Sequence, residues 1–254
     1  MEEQARIKPS KLKLNITWLY PREMSTYGDR GNVLTLYKRC LWRGIEAEVE
    51  EIGIGKNLKK DWTDIYFFGG GQDVAQTLVA QDLLGDKKKI LKEEAEEGKV
   101  ILGICGGYQL SGIYYRDFEG KEIEGLGILD VATRAGSKRM MGNLVVETQF
   151  LEEKLVGFEN HSGKTKLGQN AKALGKVVVG SGNNGGDKTE GAIQNNVYGC
   201  YLHGPVLPKN PAFADYLLHQ ALLKKYGETE LTFLNDSTEL AAHEVALDRA
   251  HKTH

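Results

Sequence analysis

The chain has 254 residues, with 33 Lys and Arg against 35 Asp and Glu and a formal charge of -2. So even a balance offers no field for nucleic acid or an anionic membrane, while the length suffices to bury one full core. Three cysteines, Cys40, Cys105 and Cys200, are far apart and lack CxxC spacing, which argues against a disulfide framework and leaves no metal site expected.

Residues 1–11 are polar and mixed in charge, and no later stretch has the length of a membrane span, so a reducing, cytoplasmic setting is expected. Leu12 to Trp18 alternates like a strand, Asn32 to Arg43 carries Leu34, Tyr37 and Leu41 at helical spacing, and Ala47 to Ile52 reads as a second strand. Asp64 to Phe68 is a short run of β-formers that ends in Gly69-Gly70-Gly71, after which Asp73 is placed to cap a helix through Leu84. Lys87 to Glu97 is a further helix, stopped by Gly98, and Val100 to Leu102 is a buried strand. Strands alternating with helices imply right-handed crossovers and a mostly parallel sheet.

After Gly125 the texture changes. Leu126 to Leu129, Asn143 to Thr148 and Lys176 to Val179 read as strands without long helices between them. Gly191 to Gln194 and Tyr198 to Leu202 flank Asn195-Asn196, a hairpin turn. Asn210 and Pro211 open an amphipathic helix from Phe213 to Tyr226 that Gly227 closes, and Glu239 to His254 reads as a last helix. The expected organisation is an α/β fold, a mostly parallel central sheet flanked by helices with a strand-rich C-terminal half. A polar extension over 1–11 precedes the domain over 12–227 and a helical tail over 228–254.

The chemistry concentrates in Gly103-Ile104-Cys105-Gly106-Gly107-Tyr108-Gln109, which follows the buried strand and leads into Leu110 to Tyr115 as a helix. A strand that stops at glycine, presents one cysteine and restarts as a helix exposes a thiol beside free amide groups. The helix N-terminus lowers the thiol pKa, and the same amides can stabilise an oxyanion. The competing reading is a packed core cysteine. A thiol that makes and breaks a thioester needs a base, and among six histidines His203 stands out at the end of the strand Tyr198 to Leu202, before Gly204-Pro205. Active-site groups in parallel sheets gather at strand carboxyl ends, where Cys105 and His203 would meet. Strand parity turns Cys200 away from His203, and Cys40 sits at packing spacing on a helix.

His219 on the amphipathic helix and His243, His251 and His254 in the charged tail read as solvated surface. His161, in Phe158-Glu159-Asn160-His161-Ser162-Gly163, lies in a polar loop that either contacts substrate or forms a hydrogen-bonded turn. Gly69-Gly70-Gly71 can bring bare backbone to a ligand, as part of an oxyanion hole or as a phosphate cradle. Neither glycine cluster gives GxGxxG, and no buried strand precedes Gly163-Lys164-Thr165 as a P-loop would require, so nucleotide binding is not expected.

Six segments run in one order over nearly the whole chain: Tyr27-Gly28-Asp29-Arg30-Gly31-Asn32, Phe68 to Asp73, Ile104 to Gln109, Glu124 to Asp130, Gly157 to Gly163 and Tyr201 to Pro205. In them the chain resembles the class I glutamine amidotransferases, within these the cobyric-acid-synthase-like branch, and there the GatD-type glutaminase subunits of lipid II isoglutaminyl synthases. The resemblance implies a flavodoxin-like fold in which Cys105 attacks the side-chain amide of L-glutamine with His203 as base and then acid. It puts Gly70 and Gly106 at the oxyanion positions and gives Gln109, Gly71, Asn160, His161 and Arg139 to substrate binding, the Arg139 guanidinium suiting an α-carboxylate. It also implies a MurT-type Mur ligase partner that carries ATP and Mg2+ and amidates lipid II, with no cofactor in this chain.

Many class I amidotransferases carry a glutamate two residues after the histidine, where this chain has Pro205. The chain is therefore expected to supply a dyad, with an orienting carboxylate from the partner or none. An amidotransferase serving a cobalamin-type ligase, a cysteine-elbow stress protein and a non-catalytic regulatory domain remain as alternatives.

Overall fold

The computed structural model describes residues 12–227 and 230–253; the expected N-terminal extension and His254 lie outside the described residues. In chain order the elements are β1 (Lys13–Leu19), α1 (Arg30–Trp42), β2 (Glu46–Ile52), β3 (Ile65–Phe68), α2 (Asp73–Leu83), α3 (Asp86–Glu96), β4 (Val100–Ile104) and α4 (Gly106–Ser111). They continue as β5 (Tyr114–Arg116), β6 (Glu122–Glu124), β7 (Val131–Glu147), β8 (Leu155–Leu167), β9 (Gly175–Val179), β10 (Thr189–Glu190), β11 (Ala192–Gln194) and β12 (Val197–Cys200). Three helices close the chain: α5 (Val206–Lys209), α6 (Pro211–Tyr226) and α7 (Ser237–Lys252).

The first sheet has the order β11-β12-β4-β3-β1-β2, parallel throughout except for the edge hairpin strand β11. Its central strands β3 and β4 are buried along their whole length, as β-rich apolar runs with helices on their faces should be. Burying side chains such as Phe67, Phe68, Leu102 and Ile104 stabilises the fold by about 1.5–3 kcal/mol each. The carboxyl ends of β3, β4 and β12 therefore lie side by side; the glycine loop and Cys105 follow β3 and β4 directly, whereas β12 ends at Cys200 rather than at the expected Leu202 and His203 stands three residues beyond it, in an isolated bridge to Phe158.

The second sheet is built from β10-β9-β7-β5-β6, with β8 antiparallel to β7. It departs from the sequence expectations in three places. Helix α4 ends at Ser111 and Tyr114–Arg116 is a strand, so the helix does not run on to Tyr115; Gly112, extended at ψ -170°, turns the chain out of it. Leu126 to Leu129 is not a strand, because its amides bond the last carbonyls of α4 instead, Leu126 N–H to Leu110 O at 2.7 Å and Ile128 N–H to Ser111 O at 3.0 Å. The polar segment around His161 is not a loop but the middle of the 13-residue strand β8; Asn160, His161 and Ser162 border a cavity, whereas Glu159 accepts from Ser181 N–H and Gly182 N–H.

Two smaller expectations also change. Gln72, not Asp73, occupies the N-cap of α2, and Asp73 is its first residue. The tail packs on the domain: Ala246, Leu247 and Ala250 join Val145 and Val156, and His243 is buried with Nδ1 at 2.7 Å from Lys209 O rather than solvated. Buried Arg39 ties α1 to this region through Asp215 of α6 and Asp236, with both aspartates held in paired short contacts.

Candidate active site

Cys105 sits at the sharp turn between β4 and α4 with φ 50° and ψ -101°, a left-handed backbone that L-residues rarely adopt. The turn is locked from both sides. Cys105 N–H donates to Cys200 O at 2.8 Å, and Gly107 N–H donates to Gly69 O at 3.0 Å. Gly107 is obligatory there, since a Cβ would fall inside contact distance of Phe68 O. A strained residue held this firmly at a strand-to-helix turn is the arrangement that presents a nucleophile.

His203 follows β12, the strand paired with β4, and is pinned by Phe158 through reciprocal backbone bonds of 2.8 and 3.1 Å. It is fully buried, and neither ring nitrogen has a hydrogen-bond partner among the described residues. Shape holds the ring instead. The Tyr27 ring meets its edge with centroids 4.9 Å apart, and Cε1 lies 3.1 Å from where a Cβ on Gly70 would be. Pro205 packs against Gly31 in the first turn of α1, just after the turn that carries Tyr27. Cys200 is buried in the core of the same strand.

Electrostatics differ from the sequence expectation. The N–H of Gly106 and the charge of Arg139 do favour the Cys105 thiolate, but burial, reinforced by Asp29, outweighs them and pushes the thiol up to about 12. Burial also holds His203 down at about 4, with His161 adding to the effect. Between those values both groups are neutral, a thiol and an imidazole, the protonation states that general-base attack requires.

A cavity of about 430 Å3 opens over the elbow, lined by Tyr27, Gly71, Gln76, Cys105, Gln109, Arg139, Asn160 and His161 among others. Its size is that of a small-ligand site. Arg139 reaches it from an irregularity in β7, where residues 136–139 bulge between the pairs Ala135 with Gly163 and Met140 with His161. Arg139 Nε donates to Asn160 Oδ1 at 2.5 Å, and Asn160 Nδ2 donates to the Tyr27 hydroxyl at 2.6 Å, so three elements join across the mouth. On the floor, Gln109 Nε2 donates to the Tyr201 hydroxyl at 3.2 Å, and the His161 ring stacks on Tyr201 at 3.5 Å. His161 Nδ1 lies 2.8 Å from Gly163 O.

Thus the fold brings Cys105, Gly71, Gln109, Arg139, Asn160 and His161 to one cavity, with His203 behind Tyr27. Neither Gly70 nor Gly106, the two expected oxyanion positions, is in the lining; Gly70 N–H donates to Asp29 Oδ2 at 2.6 Å, and Gly106 N–H is directed at Cys105. Sequence reasoning passed over Tyr27 and Asp29 as individual residues. Their signal is a Tyr-Gly-Asp turn directly before a helix, in which Tyr27 takes φ 54° and Asp29 is wholly buried. Among the described residues no cluster of three or more His, Cys, Asp or Glu could hold a metal ion, and no helix is long and apolar enough to cross a membrane.

Residues 15–211 match the model of the CobB/CobQ-like glutamine amidotransferase domain. The chain is 42% identical over 217 residues to the GatD subunit of the glutamine-hydrolysing lipid II isoglutaminyl synthase of Streptococcus pneumoniae, covering 85% of this chain and 83% of the relative. To the Staphylococcus aureus subunit of the same description it is 40% identical over 240 residues, covering 94% and 97%. A crystal structure of a glutamine amidotransferase superposes with a TM-score of 0.57 at 17% identity, over 81% of this chain and 98% of that one, and shares the fold.

Proposed function

The chain belongs to the CobB/CobQ-like glutamine amidotransferase family, and from that premise we propose that it is the glutaminase subunit of a lipid II isoglutaminyl synthase. The observation that carries the reading is Cys105, locked at φ 50° on an elbow that lines a polar cavity, on a strand paired with the one that leads to His203.

In this reading His203 accepts the thiol proton as Cys105 Sγ attacks the side-chain amide carbon of glutamine, and a C–S bond forms. The tetrahedral oxyanion then collapses with loss of the C–N bond, and His203 returns the proton to the leaving nitrogen, giving ammonia and a γ-glutamyl thioester. Water attacks the thioester with His203 again as base; glutamate leaves and the thiol recovers its proton. Among the described residues Arg139 makes one hydrogen bond, from Nε to Asn160, which leaves Nη1 and Nη2 to suit the glutamine α-carboxylate.

The acceptor chemistry falls to a second chain, a MurT-type Mur ligase that binds ATP and Mg2+ in the cytoplasm and activates the α-carboxylate of D-isoglutamate in the lipid II stem peptide. Ammonia then converts it to D-isoglutamine. Support comes from the two relatives, each described as one subunit of that synthase and together matched over most of their length. The ring of His203 has no hydrogen-bond partner among the described residues and Pro205 stands where many class I amidotransferases carry a glutamate, so this chain supplies a dyad; a carboxylate from the partner would reach the buried ring only with Tyr27 displaced.

The test is amidation of lipid II by the complex. Cys105→Ala is expected to abolish glutamine-dependent amidation while added ammonium still supports it; loss of both activities contradicts the division of labour. Full glutaminase activity of the chain without its partner would remove the partner carboxylate.

A further inference from the structure

The buried carboxylate of Asp29 has no part in the mechanism above, yet it lies against the loop that faces Cys105. Its Oδ2 accepts the Gly70 N–H at 2.6 Å, and its Oδ1 accepts from Asn32 Nδ2 at 3.3 Å. At the next peptide group, Thr26 N–H donates to Gly70 O at 3.1 Å. The Tyr27 turn therefore grips two successive peptide groups of the glycine loop, one by its N–H and the next by its C=O.

The second grip has a geometric consequence. All described peptide bonds are trans, and in a planar trans peptide the C=O and N–H point in opposite directions. With Gly70 O turned towards Thr26, the N–H of Gly71 is turned away from it. Gly71 lines the cavity with Cys105, whereas Gly70 does not. The Gly71 nitrogen lies 2.9 Å from where a Cβ on Gly106 would stand, and Gly106 N–H is the group directed at the Cys105 sulfur.

We propose that Asp29 is a positioning residue for catalysis: by holding Gly70 N–H it fixes the loop so that Gly71 N–H, together with Gly106 N–H, receives the charge developing on the substrate's amide oxygen. The role asks only for an acceptor at Oδ2. Burial raises Asp29 to about 7, so near neutral pH it is often uncharged, and the carbonyl oxygen of a protonated carboxyl still accepts the bond. This distinguishes Asp29 from a carboxylate that orients His203, for which charge is the operative property.

The inference rests on the glutaminase reading, and the experiment separates the two. Glutamine hydrolysis is measured on the complex of the full chain with its ligase partner, alongside alkylation of Cys105 by iodoacetamide, a displacement at carbon that forms no oxyanion. Asp29→Ala is expected to lower kcat by about 10- to 100-fold, the scale of a misplaced catalytic contact, with KM changed less than about threefold and alkylation not slowed. Asp29→Asn, which keeps an acceptor oxygen, is expected to recover kcat to within about fivefold of wild type.

If the wild-type complex hydrolyses no glutamine, the functional reading fails. If it does hydrolyse glutamine, an undiminished kcat in Asp29→Ala, a rise in KM alone, or alkylation slowed in step with kcat overturns the positioning role. Where Asp29→Ala does not fold, Asp29→Asn decides: near-wild-type kcat supports an acceptor, and a loss beyond about fivefold makes the charge essential and overturns the proposal.

Discussion

Cys105 is held by backbone packed on backbone, whereas Arg139, across the same cavity, is held by side-chain hydrogen bonds at the surface. The elbow has Gly107 against Phe68 O, Gly107 N–H on Gly69 O and Cys105 N–H on Cys200 O, all within the parallel sheet and its glycine turns. The cover has Arg139 to Asn160 to Tyr27, all exposed contacts that join a bulged strand, its partner strand and a turn. Backbone contacts between buried groups leave few alternatives, while exposed side-chain bonds exchange with water at little cost. The nucleophile is thus held by buried backbone contacts, and the cover by solvent-exposed side-chain bonds. Substitutions that attack the two constructions should differ in kind as well as in size.

The largest effect is expected at the elbow. In Gly107→Ala the added methyl meets Phe68 O and C, which are main-chain atoms of a fully buried strand and cannot swing aside. Overpacking of this sort costs about 1–3 kcal/mol, and the displaced turn should lower kcat by about 100-fold or more. Thermal unfolding and glutamine hydrolysis measured on the same preparation check it. A fully active, equally stable variant would mean that the elbow is less rigid than its contacts require.

At the cover the effect should fall on substrate binding. Arg139→Ala removes the guanidinium proposed above to hold the substrate carboxylate, an interaction worth about 1.5–3 kcal/mol, so kcat/KM should fall by about 10- to 100-fold, mainly through KM. Folding stability should be unchanged within about 0.5 kcal/mol, because the residue is at the surface. Arg139→Lys retains the charge without the fork and should recover only part of the loss. A fall in kcat with KM constant would place Arg139 in the chemical step instead.

The same contrast governs what the sequence could reveal. The elbow and the parallel sheet were legible because they rest on local patterns: apolar runs ending at glycine, helical spacing between them, and a histidine directly after a strand. Strand parity turned Cys200 into the core, where it lies. The cover was not legible in the same way. Polar residues 158–163 read as a loop because nothing local shows that β8 pairs β7 and borders a cavity, so its polar side chains are partnered by distant residues. His243 looked solvated for the same reason, since its partner Lys209 O lies 34 residues away. The thiol pKa was misjudged because the helix N-terminus is a local feature, whereas burial and the proximity of Asp29 arise only from the fold.

The smallest effect joins the two regions, because Tyr27 belongs to both: its hydroxyl accepts from Asn160 of the cover, and its ring edges His203 at 4.9 Å. Tyr27→Phe removes only the exposed hydrogen bond, worth about 0.5–1.5 kcal/mol at most, so KM should rise by no more than about tenfold. The acid limb of kcat/KM should stay where it is, because the ring still buries His203. Tyr27→Ala removes the ring as well. Burial depresses His203 to about 4 by disfavouring the imidazolium, so uncovering it should raise that pKa back towards about 6.5. The neutral base is lost as pH falls through its pKa, and the acid limb of Tyr27→Ala should therefore shift to higher pH while that of Tyr27→Phe does not. Identical shifts in both variants would show that the hydroxyl, not the ring, governs His203, and the boundary between elbow and cover would then run through the Asn160 contact.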